Sequence, residues 1–275
     1  MRALLRSHRR FGAAVCAAIL VAAPSGFAAE WEASVSPFAP GSFPEPRSLT
    51  AQYKFGWGSV TAATGDVRFG KTPDGRYQLE ATGGTTGMAR SLWSYDVKHV
   101  ATSDARTFRP LRVKETEEMQ SKDFTTEVSF TEEGVTSVRE ERKDDKVKSK
   151  TRRFTFPNVW SLNSALLYLR TQPLEDGAVQ RIVIYPATSA YLATVKVIGR
   201  DRITVPTGSY DAIKVDVQLK KIGKKRKLEE HKKFRHATGW LSDDSDRLIL
   251  RIETQVFIGT VFAELQSVQF ENAKP

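Results

Sequence analysis

The chain is poor in cysteine, because Cys16 is the only one in 275 residues. Cys16 lies inside an N-terminal apolar run that we expect to be removed, so it is interpreted as an apolar filler; a lipid-attachment site is the alternative. The rest of the chain then has no thiol. This excludes a disulfide framework, a cysteine-ligated metal site and a cysteine nucleophile from the mature protein.

Long hydrophobic runs are equally scarce, and the clearest one is residues 11–23. Four arginines precede this run, and small residues follow it up to Ala28 and Ala29. Such an order is typical of a secretory signal peptide. The run is shorter than the ~20 residues that span a bilayer, so a retained anchor is the less favoured alternative. We predict a signal peptide over residues 1–29 and a periplasmic location.

Catalytic and metal-binding motifs are also missing. The mature chain contains three histidines, and none lies in a Gly-x-Ser-x-Gly, Ser-x-x-Lys or His-Glu-x-x-His pattern. The weak candidates are a zinc site at His231 and His236 and a calcium site at Asp243, Asp244 and Asp246, where turn-forming aspartates are the simpler interpretation. We therefore predict a protein that is not an enzyme and that holds no metal and no cofactor.

Strand patterns dominate the rest of the chain. Residues 213–220 alternate apolar and polar side chains, which is typical of a half-buried antiparallel strand. Similar patterns recur at short intervals over these ranges: 53–60, 77–81, 92–97, 111–118, 124–130, 135–142, 146–152, 179–185, 191–199, 201–205, 228–235, 248–256 and 260–270. Gly83, Gly84 and Gly87 interrupt the pattern, and the first hairpin is predicted to turn between residues 60 and 65.

One segment, residues 157–171, predicts a buried helix. Leu162, Ala165, Leu166 and Leu169 recur at helical spacing, and Asn158 or Ser161 can cap the first turn. A lone apolar helix among strands must pack against a sheet. The fold is therefore predicted to be mainly β, a curved antiparallel sheet or open β-barrel with one principal helix packed on or across it. A proline-rich leader (residues 30–48) precedes a single exported β domain (residues 49–272).

The positive charge is concentrated. The whole chain has a net charge of +10, and loss of the signal peptide lowers it to +6. Residues 220–235, the basic hairpin, have a net charge of +7, which predicts binding to an anionic membrane or cell-wall surface, with a solvated face as the alternative. Its cations are Lys220, Lys221, Lys224, Lys225, Arg226, Lys227, Lys232, Lys233 and Arg235. A second row, Lys146, Lys148, Lys150 and Arg152, is predicted to be a solvated edge strand, with a binding role as the alternative.

Aromatic side chains supply candidates for an apolar pocket, because a strongly curved sheet encloses a volume that side chains fill or leave to a ligand. Core packing is the alternative for each of them. The pocket candidates are Tyr53, Trp57, Trp93, Leu166, Tyr168, Trp240 and Phe262.

Several segments resemble, in the same order, the exported bacterial family called domain of unknown function 3108. They are Ser161–Arg170 followed by Pro173, Leu174 and Gly177; Val205–Val215; Trp240–Asp244; Gly259–Leu265; and Tyr53–Trp57 followed by Gly65. The likeness extends over residues 49–270. It implies a mostly β domain in the periplasm or at the outer membrane, similar in kind to the incomplete barrels of periplasmic lipoprotein carriers. The family brings no catalytic motif to this chain.

These observations lead to two hypotheses. The first is a periplasmic envelope protein that binds a lipid or other apolar ligand in an open barrel and uses the basic hairpin on anionic surfaces. The second is a structural or assembly factor that binds an envelope protein or a glycan without a small ligand. Nucleic acid is not an expected partner, and the oligomeric state is left open.

Overall fold

The computed structural model describes residues 29–230, 236–256 and 259–271. The predicted signal peptide lies, apart from Ala29, outside the described residues. The described strands are β1 (Leu49–Trp57), β2 (Val60–Lys71), β3 (Arg76–Thr85), β4 (Tyr95–Asp104), β5 (Pro110–Met119), β6 (Lys122–Thr131), β7 (Gly134–Lys143), β8 (Lys146–Thr155), β9 (Val179–Ile184), β10 (Tyr191–Val205), β11 (Gly208–Ile222), β12 (Leu228–Glu230), β13 (His236–Ser242), β14 (Ile249–Val256) and β15 (Gly259–Phe270). Two α-helices, α1 (Gly87–Leu92) and α2 (Leu162–Arg170), and two 3₁₀ turns, Glu30–Ser34 and Lys224–Arg226, complete the elements.

All strands belong to one antiparallel sheet, in the order β8-β7-β6-β5-β4-β3-β2-β1-β15-β14-β13-β11-β10-β9, with β12 paired to β11. The first and last strands of the domain, β1 and β15, are neighbours in the middle of the sheet. Its two edges are β8 and β9, so the ladder does not close on itself. The mainly β fold with a curved, open sheet is confirmed, and so is the edge position of β8.

The sheet rolls up so that β9 is enclosed on both faces. Ile182 and Ile184 pack in one core cluster with α2, while Val183 and Tyr185 pack in a second cluster with β5, β6 and β7. The hydroxyls of Tyr185 and Ser137 lie 2.9 Å apart and tie β9 to β7. Burying both faces of an edge strand in this way removes apolar area from water without a closed hydrogen-bond ladder.

The seam between the two edges is bridged by the chain that follows β8. Trp160 makes an isolated parallel bridge with Ile184. Its amide donates to the Val183 carbonyl at 2.9 Å, and the Tyr185 amide donates to the Trp160 carbonyl at 2.8 Å. The indole of Trp160 is 3% exposed and is therefore a core side chain at the seam.

Helix α2 begins at Leu162, after Ser161, which is one of the two predicted caps, so residues 157–161 of the predicted helical segment lie outside it. The Ser161 hydroxyl accepts a hydrogen bond from the Ser164 amide at 3.1 Å, which satisfies one free N–H of the first turn. The predicted apolar stripe is only partly right, because Leu162 is 51% exposed and Leu166 is half-buried. Ala165 and Leu169 of the stripe are buried as predicted. Leu167 and Tyr168 are buried as well, since α2 is covered on a second side by the N-terminal segment.

This N-terminal segment, residues 30–48, is an ordered strap over the seam; we call it the N-terminal strap. The Phe38 ring stacks on Trp160 with centroids 4.6 Å apart. The Tyr168 hydroxyl donates to the Pro37 carbonyl at 3.1 Å, and the Gln172 amide group donates to the Ala39 carbonyl at 3.1 Å. The proline-rich sequence therefore follows α2 closely without forming a strand.

A close approach at Gly41 gives a test of the N-terminal strap. A Cβ atom at Gly41 would lie 2.0 Å from the Thr171 carbonyl oxygen. We expect Gly41→Ala to lower the free energy of unfolding by about 1–3 kcal/mol, because backbone must move to make room. Urea unfolding measures this, and Ser42→Ala, at the exposed neighbour of Gly41 on the same strap, is the comparison and should unfold as the wild type does. Equal stability of Gly41→Ala and the wild type would show that the strap is loosely held.

Three local predictions are wrong. The first hairpin turns at Gly58 and Ser59, and β2 begins at Val60, because Gly58 adopts a φ of +55°. β3 continues through Gly83 and Gly84 to Thr85. Helix α1, which no sequence pattern predicted, follows it and includes Leu92, so that β4 begins at Tyr95 and not at residue 92. β10 is continuous from residue 191 to 205, with a register shift between Val197 and Gly199 where two strands were predicted.

Candidate functional site

The concave face of β1–β4 is filled in one half and empty in the other. Phe69 and Tyr77 fill it next to α2, in the main core cluster. Further along the same face, residues of opposite strands are small: Gly65 lies opposite Gly83 in the register, and Ala63 opposite Thr85. Side chains of this size cannot fill the interior of a rolled sheet, so a space is left.

This space is an open cavity of about 670 Å³ with an almost entirely apolar wall. Its volume is within the ~300–1,000 Å³ of small-molecule sites in proteins. The side chains that enclose it come from β1, β2, β3, β4 and α1, and include Tyr53, Phe55, Val67, Ala81, Ala89, Trp93, Tyr95, Val97 and His99. Four other depressions, of about 230–460 Å³, each include charged side chains in their lining.

The opening of the cavity is built by α1 and Trp93. Ala89 of α1 faces the cavity, and the Trp93 ring stacks on Tyr95 with centroids 5.3 Å apart. The Thr85 hydroxyl donates to the Trp93 carbonyl at 2.9 Å and accepts from the Tyr95 amide at 3.1 Å. Arg90 holds α1 against β4 through two hydrogen bonds to the Asp96 carboxylate, at 2.9 and 2.8 Å. The opening is thus a fixed structure of the β3–β4 connection.

Polar groups are few and lie along one side of the cavity. His99 Nδ1 is 3.0 Å from a carboxylate oxygen of Glu115, and both side chains are about one-fifth exposed. The Tyr95 hydroxyl donates to Glu117 at 3.1 Å, and Glu117 pairs with Arg139 at 2.8 Å. These pairs give an otherwise apolar site a small number of hydrogen-bonding points.

Two tyrosines of the wall remain neutral at physiological pH. Burial raises the pKa of the Tyr53 phenol, whose hydroxyl donates to the Ile249 carbonyl at 3.0 Å. Burial also raises the pKa of Tyr95, and the nearby Glu117 carboxylate adds to this shift because it disfavours a second negative charge. These two phenol groups therefore add no charge to the wall of the cavity.

The structure brings two of the seven predicted pocket residues, Tyr53 and Trp93, to the cavity. Tyr168 is a core residue between α2 and the strap, and Leu166 lies on α2 outside the lining. Trp57 is 47% exposed beside the opening, where its indole lies over Gly259.

Phe262 and Trp240 lie away from the cavity because of strand parity. Phe262 is opposite Gly56, one residue out of phase with the inward Phe55, and stacks with the cations Lys54 and Arg251. Trp240 has its ring 5.3 Å from the Lys214 ammonium. Aromatic composition alone does not distinguish the two faces of a strand.

Sequence reasoning missed Phe55, Gly65, Gly83, Val97 and His99 as lining residues. The usable signal was the pair of small-residue alternations, Ala63 with Gly65 and Ala81 with Gly83, on neighbouring strands. Small inward side chains at the same level of two paired strands indicate unfilled volume.

The basic hairpin is only partly free to bind a surface. Lys224, Lys225 and Lys227 are exposed and form no ion pair with a described residue. Arg226 instead pairs with Glu32 at 2.8 Å and donates to the Thr155 carbonyl at 3.1 Å. Lys220 pairs with Glu230 at 3.4 Å, and Lys221 is half-buried. Lys232, Lys233 and Arg235 lie outside the described residues.

The weak metal candidates have structural roles where they are described. Asp244 accepts hydrogen bonds from the amides of Asp246 and Arg247 at 2.9 and 3.0 Å, which is the turn predicted for this segment. Asp243 pairs with Arg200 at 2.7 Å. His236 is 3.3 Å from Asp216, and His231 is outside the described residues. Within residues 29–230, 236–256 and 259–271, no three His, Asp or Glu side chains form a cluster that could hold a metal ion.

Neither α-helix in the described part of the chain combines the length and the apolarity needed to cross a bilayer.

Comparisons with known proteins give a family and a fold. Residues 52–266 match the family model described as Protein of unknown function (DUF3108). A β-barrel-like protein of domain of unknown function DUF1849 from Brucella abortus is similar in structure, with a TM-score of 0.58 and 8% identity over 84% of this chain and 100% of that chain. A protein with a YmcC-like fold from Bacteroides fragilis gives a TM-score of 0.36 and 8% identity over 84% of this chain and 100% of that chain. No curated protein matches the chain in sequence.

Proposed function

Since this chain belongs to the DUF3108 family of proteins of unknown function, its activity must be inferred from its own site, and we propose that it binds an apolar, lipid-like ligand in the cavity of β1–β4. The observation that carries the proposal is the cavity itself: about 670 Å³ lined by aliphatic and aromatic side chains, beside the main core cluster. An apolar ligand in this open cavity would remove the apolar wall from water and gain van der Waals contacts with it.

The chemistry of the wall limits the class of ligand. An acyl chain or another extended hydrocarbon makes only van der Waals contacts with Val67, Ala81 and Val97. A polar end of the ligand could form a hydrogen bond with His99, which belongs to the lining and itself contacts Glu115. A charged or sugar-like ligand would lose its water without gaining enough hydrogen bonds. The proposed ligand is therefore an amphiphile or a hydrocarbon.

The place of action proposed with this function is the periplasm. The support is the order of the first 29 residues: arginines, then an apolar run, then small residues. A chain without cysteine after Cys16 suits an oxidising compartment, since nothing in it can form an unwanted disulfide. The exposed lysines of the basic hairpin are proposed to face the anionic surfaces found there.

The cavity proposal is tested by filling the cavity. We expect Ala81→Phe/Val97→Phe to weaken binding of a fluorescent apolar probe, such as N-phenylnaphthylamine, by about tenfold or more, because the added rings occupy the ligand's space. Mass spectrometry should identify lipid extracted from the natively purified wild-type protein, and this lipid should be absent from the double variant. Lys98→Phe, the neighbour of Val97 in β4, carries the same ring on the other face of the strand and should bind as the wild type does.

Two outcomes would overturn the proposal. One is a wild-type protein that carries no lipid and binds no probe, which would favour the structural or assembly factor predicted as the alternative. The other is a double variant that is folded and binds the probe as tightly as the wild type.

A further inference from the structure

Large apolar side chains are exposed together around the opening of the cavity. The β1–β2 turn and the β3–β4 connection meet at one edge of the sheet, because β1 and β3 end there and β2 and β4 begin there. Five exposed apolar side chains of these connections form what we call the mouth rim: Trp57, Val60, Met88, Leu92 and Trp93. Met88 and Leu92 are each 80% exposed. Such a cluster in water is typical of a binding surface rather than of an ordinary protein surface.

The mouth rim has the arrangement of a small amphipathic anchor. Within α1, Ala89 faces the cavity while Met88 and Leu92, four residues apart, project into solvent. Trp57 and Trp93 are both 47% exposed, and tryptophan is enriched at the level of lipid headgroups in membrane proteins. Trp93 also belongs to the cavity lining, so the rim is continuous with the apolar wall.

A row of cations begins at the same edge of the sheet. β8 starts there, and Lys146, Lys148 and Lys150 are exposed and alternate along it, so they share one face. Lys148 lies opposite Glu141 and Lys150 opposite Arg139 in the β7–β8 register. Arg139 pairs with Glu117 next to the cavity, so this is the concave face. None of the three lysines forms an ion pair with a described residue, although Lys148 adds to the effect of Lys122 in lowering the pKa of Glu141. The exposed ammonium groups of this row are therefore accessible to an external anion.

We propose that the mouth rim inserts into the interfacial layer of an anionic phospholipid bilayer, with the lysines of β8 on its headgroups. Burial of Met88, Leu92 and the tryptophan rings supplies the apolar part of the binding, and each lysine adds electrostatic attraction. The cavity then opens directly toward the lipid layer. Docking itself depends on the mouth rim and the β8 lysines and needs no ligand in the cavity; transfer of a ligand through the opening rests on the proposed function.

The test is co-sedimentation with vesicles of phosphatidylcholine alone or mixed with phosphatidylglycerol. Met88→Ser/Leu92→Ser should weaken binding to both kinds of vesicle by about tenfold or more, because apolar burial does not depend on lipid charge. Lys146→Gln/Lys148→Gln/Lys150→Gln should weaken binding to the mixed vesicles by roughly fivefold per lysine, and binding to pure phosphatidylcholine should not change. Leu162→Ser is the matched control, since Leu162 is 51% exposed but lies on α2, and it should bind as the wild type does.

Four outcomes would contradict the proposal. They are wild-type protein that stays in the supernatant, unchanged binding by Met88→Ser/Leu92→Ser, an equal loss with Leu162→Ser, and a preference for phosphatidylglycerol that is unchanged in the β8 variant. Probe binding in solution separates this proposal from the cavity proposal. The Met88 and Leu92 side chains lie outside the lining, so their variant should keep the probe while losing the vesicle.

Discussion

Replacing Trp160 by alanine is expected to lower the free energy of unfolding by about 3–5 kcal/mol, the range for an aromatic side chain removed from a packed core. Trp160 is 3% exposed and touches both parts that close the roll: its ring is stacked on Phe38 of the strap with centroids 4.6 Å apart, and it is tilted against Tyr168 of α2 with centroids 4.9 Å apart. Tyr168 is held by its helix and by the hydrogen bond from its hydroxyl to the Pro37 carbonyl, so we expect the space left by Trp160 to stay open. The loss should appear as a lower midpoint in urea unfolding followed by circular dichroism.

The matched control for this prediction is Trp57→Ala. Trp57 is 47% exposed, so its removal should change the free energy of unfolding by about 1 kcal/mol or less. If the two tryptophan variants were equally stable, the seam would not depend on Trp160 and the closure described for β8 and β9 would be wrong.

Arg247→Met is expected to destabilise the protein by about 2–3 kcal/mol, through the loss of two hydrogen bonds from a charged donor. The Arg247 guanidinium donates to the carbonyls of Arg170 and Gln172, at 2.9 and 2.5 Å, at the end of α2. These carbonyls have no partner of their own within the helix, so an arginine there completes the C-terminus. Methionine keeps the apolar stem but leaves both oxygens without this donor.

Arg202→Met is the comparison for Arg247→Met. Arg202 pairs with Asp211 at 3.5 Å, and both side chains are more than 70% exposed, so we expect a change of about 0.5 kcal/mol or less. Thermal unfolding of the two variants, measured side by side, compares their losses of stability. A stable Arg247→Met would mean that the end of α2 is solvated rather than capped by this side chain.

Much of the fold follows from periodicity. The strict alternation around Ile213 and the helical spacing around Ala165 are local signals, and the structure places β11 and α2 there. What could not be predicted depends on contacts between distant residues. The strap owes its path to Trp160 and α2, and the burial of α2 on a second side follows from the strap.

The lining of the cavity, too, could be predicted only in part from the sequence. Tyr53 and Trp93 were predicted as candidates because they are aromatic, but Phe262 was predicted on the same ground and faces the other way. The phase of a strand is fixed by its partners, and register shifts between Gln52 and Tyr53 and between Phe55 and Gly56 alter it within β1. Such bulges carry no clear mark in a single sequence.

The position of β1 beside β15 has a consequence for how the chain folds. Leu49 pairs with Phe270, and the Trp31 indole donates to the Arg226 carbonyl 195 residues away. Contacts of such long sequence separation slow folding, because a large loop must be closed before they form. The start of the β domain therefore meets its partners in two stages. Leu49 can pair with Phe69 of β2 soon after both are synthesised, but its pairing with Phe270, and the contact of Trp31 with Arg226, must wait for residues near the other end of the domain.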